Sequence, residues 1–257
     1  MKITVITVCF NSAATIADTL DSVAVQLYAD VEHIVIDGGS TDGTLDIIRA
    51  HGRRVAHLVS EADKGIYDAM NKGVALATGD YVGFLNADDV LEGPDALSWV
   101  ARYADARPVA IFGDLVYVRQ RQLDEVVRYW RSGSFSRRRL QFGWMPPHPT
   151  FYVRRDLLPA TGAFDLGLRI SADYDFMMRC LSQRGAQPAY IPRILVRMRL
   201  GGVSNASLRA LLRKSAEDLK VIRRYRLGGW LTLLCKNVRK SPQFFISPPE
   251  RRAPGQS

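Results

Sequence analysis

The sequence predicts an α/β fold: a mixed, mainly parallel sheet flanked by helices, with a C-terminal helical appendage. Three observations predict it. Runs rich in β-branched residues alternate with segments of helical period at a spacing of roughly 10–15 residues, as in βαβ units. Those runs are almost continuously apolar, the mark of strands buried on both faces. The chain has 257 residues, 47% hydrophobic and 24% charged, enough for one large core. This composition excludes wholesale disorder, collagen-like repeats and a disulfide scaffold, and no internal repeat is visible.

The elements follow in order. Ile3 to Phe10 is the first strand, after which Asn11 or Ser12 caps a helix with Ile16, Leu20, Val23 and Leu27 on its apolar face. VEHIVID, ending at Asp37, is the second strand. The turn Gly38-Gly39-Ser40-Thr41-Asp42-Gly43 leads to a short helix with Leu45, Ile47 and Ile48 inward, ending near Gly52. Val55 to Ser60 is the third strand. Asp63-Lys64-Gly65 precedes a helix from Ile66 to Ala77, with Ile66, Met70, Val74 and Ala77 on one face. DYVGFLNADD, from Asp80, is the fourth strand.

Pro94 starts a helix with Leu97, Val100 and Ala104 inward, and Pro108 to Val118 is a long strand. From Arg119 to Pro147 the pattern loosens into Gly, Ser, Arg and aromatic residues, read as a mobile or partner-contacting stretch. Phe151 to Val153 is a short strand. Ser171-Ala172-Asp173 precedes a helix with Phe176, Met177 and Cys180 inward, and PAYIPRILVRMRL is a last strand whose two prolines place it at a sheet edge. Helix pairs follow from about Asn205, and residues 242–257 read as a disordered tail.

In an open parallel sheet the carboxyl ends of the strands share one edge, where ligands bind. The loops after the strands carry Asn11, Asp37 and the group Asn86-Asp88-Asp89. Polar groups far apart in sequence therefore converge on one crevice.

The formal charge of +9 divides unevenly. Residues 1–128 hold 11 Lys and Arg against 19 Asp and Glu, whereas residues 129–257 hold 24 against 7. An acidic half is joined to a basic one, so the overall charge does not itself mark a nucleic-acid binder. Cys9, Cys180 and Cys235 are odd in number and widely spaced, which fits reduced thiols in a cytosolic protein. The N-terminal apolar run lacks a signal-peptide cleavage pattern, and Leu227 to Cys235 falls far below the roughly 18 residues of a spanning helix. The expected location is the cytoplasm, with peripheral contact to the cytoplasmic face of the inner membrane.

Several groups suit chemistry. Asn86-Ala87-Asp88-Asp89, on a turn after a buried strand, can hold Mg²⁺ or Mn²⁺ through oxygen together with substrate phosphates, and equally suits capping the next helix. Asp37 in its Gly-rich turn can accept a hydrogen bond from a nucleotide base or serve as a plain turn residue. The dinucleotide and P-loop fingerprints are both absent, against a dehydrogenase or a P-loop nucleotidase. His148, held between prolines, suits diphosphate contact. Asp173 and Asp175 point in different directions; Asp175 or Ser171 can cap while Asp173 projects into the crevice. Arg137-Arg138-Arg139 and the stretch Leu208 to Leu227 carry the positive charge, and Trp230, Leu231, Leu233 and Leu234 add an apolar surface suited to anionic lipid.

ITVITVCFNSAATIADTLDSV, HIVIDGGSTDGT and EADKGIYDAMNKGVALATGDYVGFLNADD resemble the N-terminal half of family 2 glycosyltransferases with the GT-A fold. EADKGIYDAMNKG, PHPTFYVRRDLL, SADYDF and MRLGGVSN are similar to bacterial enzymes of colanic-acid and exopolysaccharide assembly. The likeness covers about residues 1–205, in the family's motif order. It implies a GT-A catalytic domain over 1–204, with a donor-binding half (1–118) and an acceptor-side half (119–204), then a basic amphipathic extension (205–241). It also implies that Asp37 contacts the base of a nucleotide-sugar, most often UDP, that Asp88 is the metal ligand, and that Asp173 is the catalytic base. Asn86 stands where many members have a first Asp, and Ala172 where many have Glu. Asn11, Lys64, Asn71, Asn86 and His148 would surround the donor.

The expected reaction is inverting transfer of a sugar to an acceptor hydroxyl, a lipid-linked oligosaccharide in cell-surface or exopolysaccharide assembly. Two other readings remain at this point: a basic nucleic-acid-binding protein, disfavoured by the acidic crevice, and a nucleotidyltransferase on the same fold, which lacks a Gly-rich, Arg/Lys-bearing N-terminal loop. No nucleic-acid partner is expected.

Overall fold

The computed structural model describes residues 1–162, 164–201 and 208–239, together with Gln243 and Pro248. Its centre is a nine-stranded mixed sheet in the order β3-β2-β1-β4-β8-β6-β9-β5, with β7 paired to β6. Strands β1 (Ile3–Cys9), β2 (Val31–Asp37), β3 (Val55–Ser60) and β4 (Tyr81–Asn86) are mutually parallel. Every residue of β1 is buried, as its unbroken apolar run requires. The mixed half contains β5 (Asp89–Leu91), β6 (Ala110–Arg119), β7 (Gln122–Trp130), β8 (Tyr152–Arg154) and β9 (Ala189–Arg199).

Helices α1 (Ile16–Ala24), α2 (Thr44–His51), α3 (Ile66–Leu76) and α4 (Ala96–Ala104) connect the first strands. Short α5 (Arg137–Gln141) and α6 (Leu158–Thr161) precede α7 (Ala172–Leu181), α8 (Leu208–Arg224) and α9 (Trp230–Val238). One core layer joins Ile6, Ile34, Phe84 and Phe112 to Met70, Phe176, Leu219, Ile222 and Leu233. The other joins Val5, Leu85, Ile111 and Val196 to Val23, Leu97 and Val100. Gly73 lets α3 lie close on β1, because a Cβ there would meet Ile6 Cγ2 at 2.5 Å.

Several expectations need correction. Asn11 and Ser12 do not cap α1 through their side chains; Thr15 precedes the helix, and the Ser12 carbonyl accepts the Thr15 and Ile16 N–H groups instead. α1 ends at Ala24, so Leu27 lies beyond it and is exposed. α4 begins after Asp95 rather than at Pro94. Asp88 and Asp89 lead into β5, not into a helix they could cap.

The stretch after Arg119 is not loose. β7 returns along β6 after the two-residue turn Gln120-Arg121, and its polar sequence, with a single buried residue and two register breaks, hid the alternation. β9 is interior, between β6 and β5. Pro192 is accommodated because the β6–β9 register breaks beside it and β5 pairs only from Val196 to Met198.

The C-terminal helices pack on the domain: α8 and α9 supply Leu219, Val221, Ile222 and Leu233 to the main core. The expected boundary near 205 lies outside the described residues, as does the 242–257 tail apart from Gln243 and Pro248. Cys9 and Cys180 are buried, and none of the three cysteines forms a disulfide among the described residues. Among the described residues no helix is long and apolar enough to cross a membrane.

Candidate active site

The parallel register sets Cys9, Asp37 and Ser60 side by side at the carboxyl edge, with Asn86 beside Val8. The Asp37 carboxylate is fully buried. It accepts hydrogen bonds from Gly39 N (3.2 Å), Ser40 N (3.1 Å), Ser60 Oγ (2.7 Å), Ser40 Oγ and the Cys9 thiol (3.6 Å). Burial alone would raise its pKa, but the Ser40 and Ser60 donors hold it below the ordinary value. These donors meet both carboxylate oxygens, so Asp37 orders the turn from Gly38 to Ser40. The Cys9 thiol, raised by burial and then by the Asp37 charge, stays protonated.

Two groups at this corner escaped the sequence reading. A Cβ on Gly38 would meet Asp63 Oδ2 at 2.5 Å and the Phe10 ring at 3.5 Å, so the glycine leaves just enough room for both. Phe10 is 63% exposed. Its signal was available: the apolar run continues one residue past the point where the strand has a core to enter.

Asn11 adopts a left-handed backbone (φ 48°), its Oδ1 accepts from Thr41 N (3.0 Å), and its N–H donates to Ser40 Oγ (2.8 Å). It stitches the first two strand-end loops together. Lys64 is exposed, with its backbone N–H tied to Asp68. Asn71 ties α3 to the Phe164 backbone: its Nδ2 donates to Phe164 O (3.0 Å) and its Oδ1 accepts from Phe164 N (2.8 Å), one of its two N–H groups and one acceptor lone pair.

Asn86 Nδ2 donates to Asp89 Oδ2 (3.1 Å), while Asn86 Oδ1 and Asp89 Oδ1 are buried without a hydrogen-bond partner. Burial, then the Asp88 charge, raises Asp89 well above its ordinary value. Asp88 is half-buried, and burial raises it too. Arg199, itself buried, donates to the Asp88 carbonyl (2.8 Å) and to Gln120 O, and pairs with Asp18. Among the described residues no group of three or more His, Cys, Asp or Glu side chains gathers around a point. One desolvated carboxylate beside an orphaned amide oxygen nevertheless suits a hard divalent ion whose other ligands are donor phosphates.

Asp173 begins α7 half-exposed, with Oδ1 accepting from Tyr174 N at 2.8 Å. The Tyr67 hydroxyl lies 2.7 Å from Ile170 O and 3.3 Å from Asp173 Oδ1. Burial and the Asp173 charge keep Tyr67 protonated. Nothing in the spacing of the sequence linked these two residues, which are 106 apart. Asp175, by contrast, is fully buried and bonds Arg224 (2.7 Å) and Tyr225 (3.2 Å), while Ser171 makes no side-chain cap. The two carboxylates do point apart, but neither Asp175 nor Ser171 caps the helix.

His148 is buried, stacked on Phe84 (5.3 Å) and edge-on to Phe164 (5.8 Å), with Nε2 unpartnered. Burial lowers its pKa against the opposing pull of Asp173, which favours the neutral imidazole. The turn before α7 is held from behind. Glu217 accepts from the N–H groups of Arg169 (3.1 Å), Ile170 (2.8 Å) and Ser171 (3.0 Å), and Asp218 accepts from Ser171 Oγ (2.9 Å).

Asn11, Asp37, Asn86 and Asp88 thus gather at the ends of the parallel strands. Asp173 and His148 gather with Tyr67, Phe84 and Phe164 along the adjoining face.

Comparison with known proteins accords with this geometry. Residues 4–161 match the family model described as Glycosyl transferase family 2. A PGL/p-HBAD biosynthesis glycosyltransferase of Mycobacterium tuberculosis is 35% identical over 203 residues, 76% of each chain. S. aureus TarS (residues 1–349, in complex with UDP-GlcNAc) shares the fold with a TM-score of 0.69 at 20% identity, over 88% of this chain and 65% of that one. The mannosyltransferase PcManGT from Pyrobaculum calidifontis, in complex with GDP-Man and Mn²⁺, gives 0.65 at 21%, over 91% and 68%. The chain spans 64%, 65% and 69% of three TarS 1–349 chains.

Proposed function

Because the chain belongs to glycosyl transferase family 2, we propose that it moves a sugar from a nucleotide-sugar, a UDP-sugar in the first instance, to an acceptor hydroxyl with inversion of configuration. The observation that carries the reading is the half-exposed Asp173 carboxylate, backed by Tyr67, on the face adjoining the polar carboxyl ends of four parallel strands. The neighbours bound to UDP-GlcNAc and to GDP-Man with Mn²⁺ support a nucleotide-sugar donor.

Asp173 takes the acceptor's hydroxyl proton as the oxygen forms its bond to the anomeric carbon. The bond from that carbon to the diphosphate breaks on the opposite face, and no enzyme nucleophile is needed. A base in this role must come within about 2.6–3.2 Å of the hydroxyl. Phe10 offers a flat face and Asp63 a free carboxylate oxygen for the donor's base and ribose, against the turn that Asp37 orders. Asn86 Oδ1 remains free to accept a donor hydroxyl, and Lys64 is free to meet phosphate. Asp88 would hold Mg²⁺ or Mn²⁺, which supplies Lewis-acid neutralisation of the leaving diphosphate when bound.

The acceptor is a saccharide or lipid-linked saccharide of cell-surface or exopolysaccharide assembly. The motif likeness and the basic C-terminal surface support that reading. The deciding experiment is calorimetric titration with UDP- and GDP-sugars in the presence and absence of Mn²⁺, followed by Asp173→Asn. Loss of transfer with donor binding retained is the expected result; normal turnover by the variant rejects the base assignment.

A further inference from the structure

Helix α9 is packed inside out. Its buried side carries Thr232, Leu233 and Lys236, while Trp230 (67%), Leu231 (69%), Leu234 (59%) and Val238 (58%) are exposed. At 3.6 residues per turn these four apolar positions fall on one arc of about 100°. The cation is the group taken inside: Lys236 Nζ lies 2.7 Å from Asp218 Oδ1 and 3.4 Å from the centroid of the Tyr174 ring. A helix composed only to cover a core would turn its lysine out and its tryptophan in. The outer face of α9 is composed for a neighbour other than water.

The charge around it says what kind of neighbour. Residues 205–241 hold ten Lys and Arg against two acids, and both acids, Glu217 and Asp218, are tied to the turn before α7. Among the described residues of this segment every other charged side chain is positive. Arg209, Arg213, Lys220, Arg223, Arg226 and Arg239 are all exposed. The Arg223 guanidinium lies 6.0 Å from the centroid of the Trp230 ring and joins the basic face of α8 to the apolar stripe of α9. A second copy of the chain, face to face, would set these cations against one another. An anionic bilayer satisfies both the stripe and the charge.

We propose that α8 and α9 dock on an anionic lipid bilayer, with Trp230, Leu231, Leu234 and Val238 entering the headgroup–acyl boundary and the arginines meeting lipid phosphates. That the acceptor comes from this membrane rests on the transferase reading above; the docking face does not. α8 also clamps the turn before Asp173, so the docked element is the one that braces the site.

The test is co-sedimentation of the full chain with vesicles of phosphatidylcholine alone, or of equal parts phosphatidylcholine and phosphatidylglycerol, in about 0.1 M salt. The parent should pellet with the anionic vesicles only. Leu231→Ser with Leu234→Ser should weaken partition about tenfold, and Arg223→Gln about fivefold. These side chains are exposed, so folding should persist, as circular dichroism would verify. Absence of pelleting on anionic vesicles, or pelleting undiminished in the double serine variant, overturns the proposal. So does a concentration-dependent dimer that the serine variant abolishes. UDP and GDP binding with Mn²⁺, measured on the same preparations, separates this outcome from the transferase reading: intact nucleotide binding without vesicle binding refutes only the docking face.

Discussion

The Tyr67 hydroxyl stands between the Ile170 carbonyl and the Asp173 carboxylate, 2.7 and 3.3 Å away. One residue of α3 therefore spans both the turn before α7 and the first exposed acid on it. A hydrogen bond to a charged group is worth about 1.5–3 kcal/mol. Tyr67→Phe is accordingly expected to lower kcat about tenfold or more, with the KM for the donor little changed. Steady-state kinetics of the variant check it, and an unaltered kcat would detach Tyr67 from the reaction.

Asp88 has no side chain within ion-pair distance among the described residues, and burial raises its pKa. Asp88→Ala is expected to bind UDP with the same affinity with or without Mn²⁺, whereas the parent should bind more tightly with the ion. Calorimetry in both conditions decides; a preserved metal effect removes Asp88 as the ligand.

Glu217 gathers three consecutive N–H groups at the turn before α7. Glu217→Ala leaves those donors without their acceptor and should cost about 2–3 kcal/mol in urea unfolding. If the turn positions Asp173, kcat should also fall while donor affinity holds, and Glu217→Gln, which keeps one carbonyl oxygen, should recover part of both. A variant that loses stability alone would limit Glu217 to the fold.

Glu32 lies at the opposite end of the sheet, 3% exposed, accepting from Thr4 Oγ1 (2.6 Å), Thr78 N (2.8 Å) and Lys2 Nζ (3.1 Å). Burial alone would raise its pKa; these donors bring it down to about 2. A carboxylate depressed on folding contributes stability that is present above its unfolded pKa, near 4.5, and is lost as pH falls toward 2. Glu32→Gln should therefore destabilise the protein by up to about 3 kcal/mol at neutral pH, with the gap closing across that acid window. Thermal unfolding of both proteins from pH 7 downward tests the sign as well as the size.

Strands β1, β2 and β4 were legible because each is buried on both faces and so announces itself as an apolar run. β7 was not, because QLDEVVRYW is polar, has a single buried residue and breaks register twice. β9 misled through its prolines, which a bulge excuses. The candidate site divided in the same way. Position in the sequence put Asp37 and Asn71 at the site, but only the structure reveals their protein partners: backbone N–H groups and the Ser40 and Ser60 hydroxyls for Asp37, the Phe164 backbone for Asn71. Phe10, Asp63 and Tyr67 fall in the same motifs yet become visible only through contacts across the fold.

The place of β9 also sets an order of assembly. The first four parallel strands are complete by Asn86, but β6 and β5 have no mutual pairing until residues 189–199 enter between them. On the ribosome this parallel part of the sheet can close early. The other side waits, with open strand edges, for a segment made more than a hundred residues later. Slow, long-range insertion of one strand is thus the step at which a nascent chain is most exposed to misassociation.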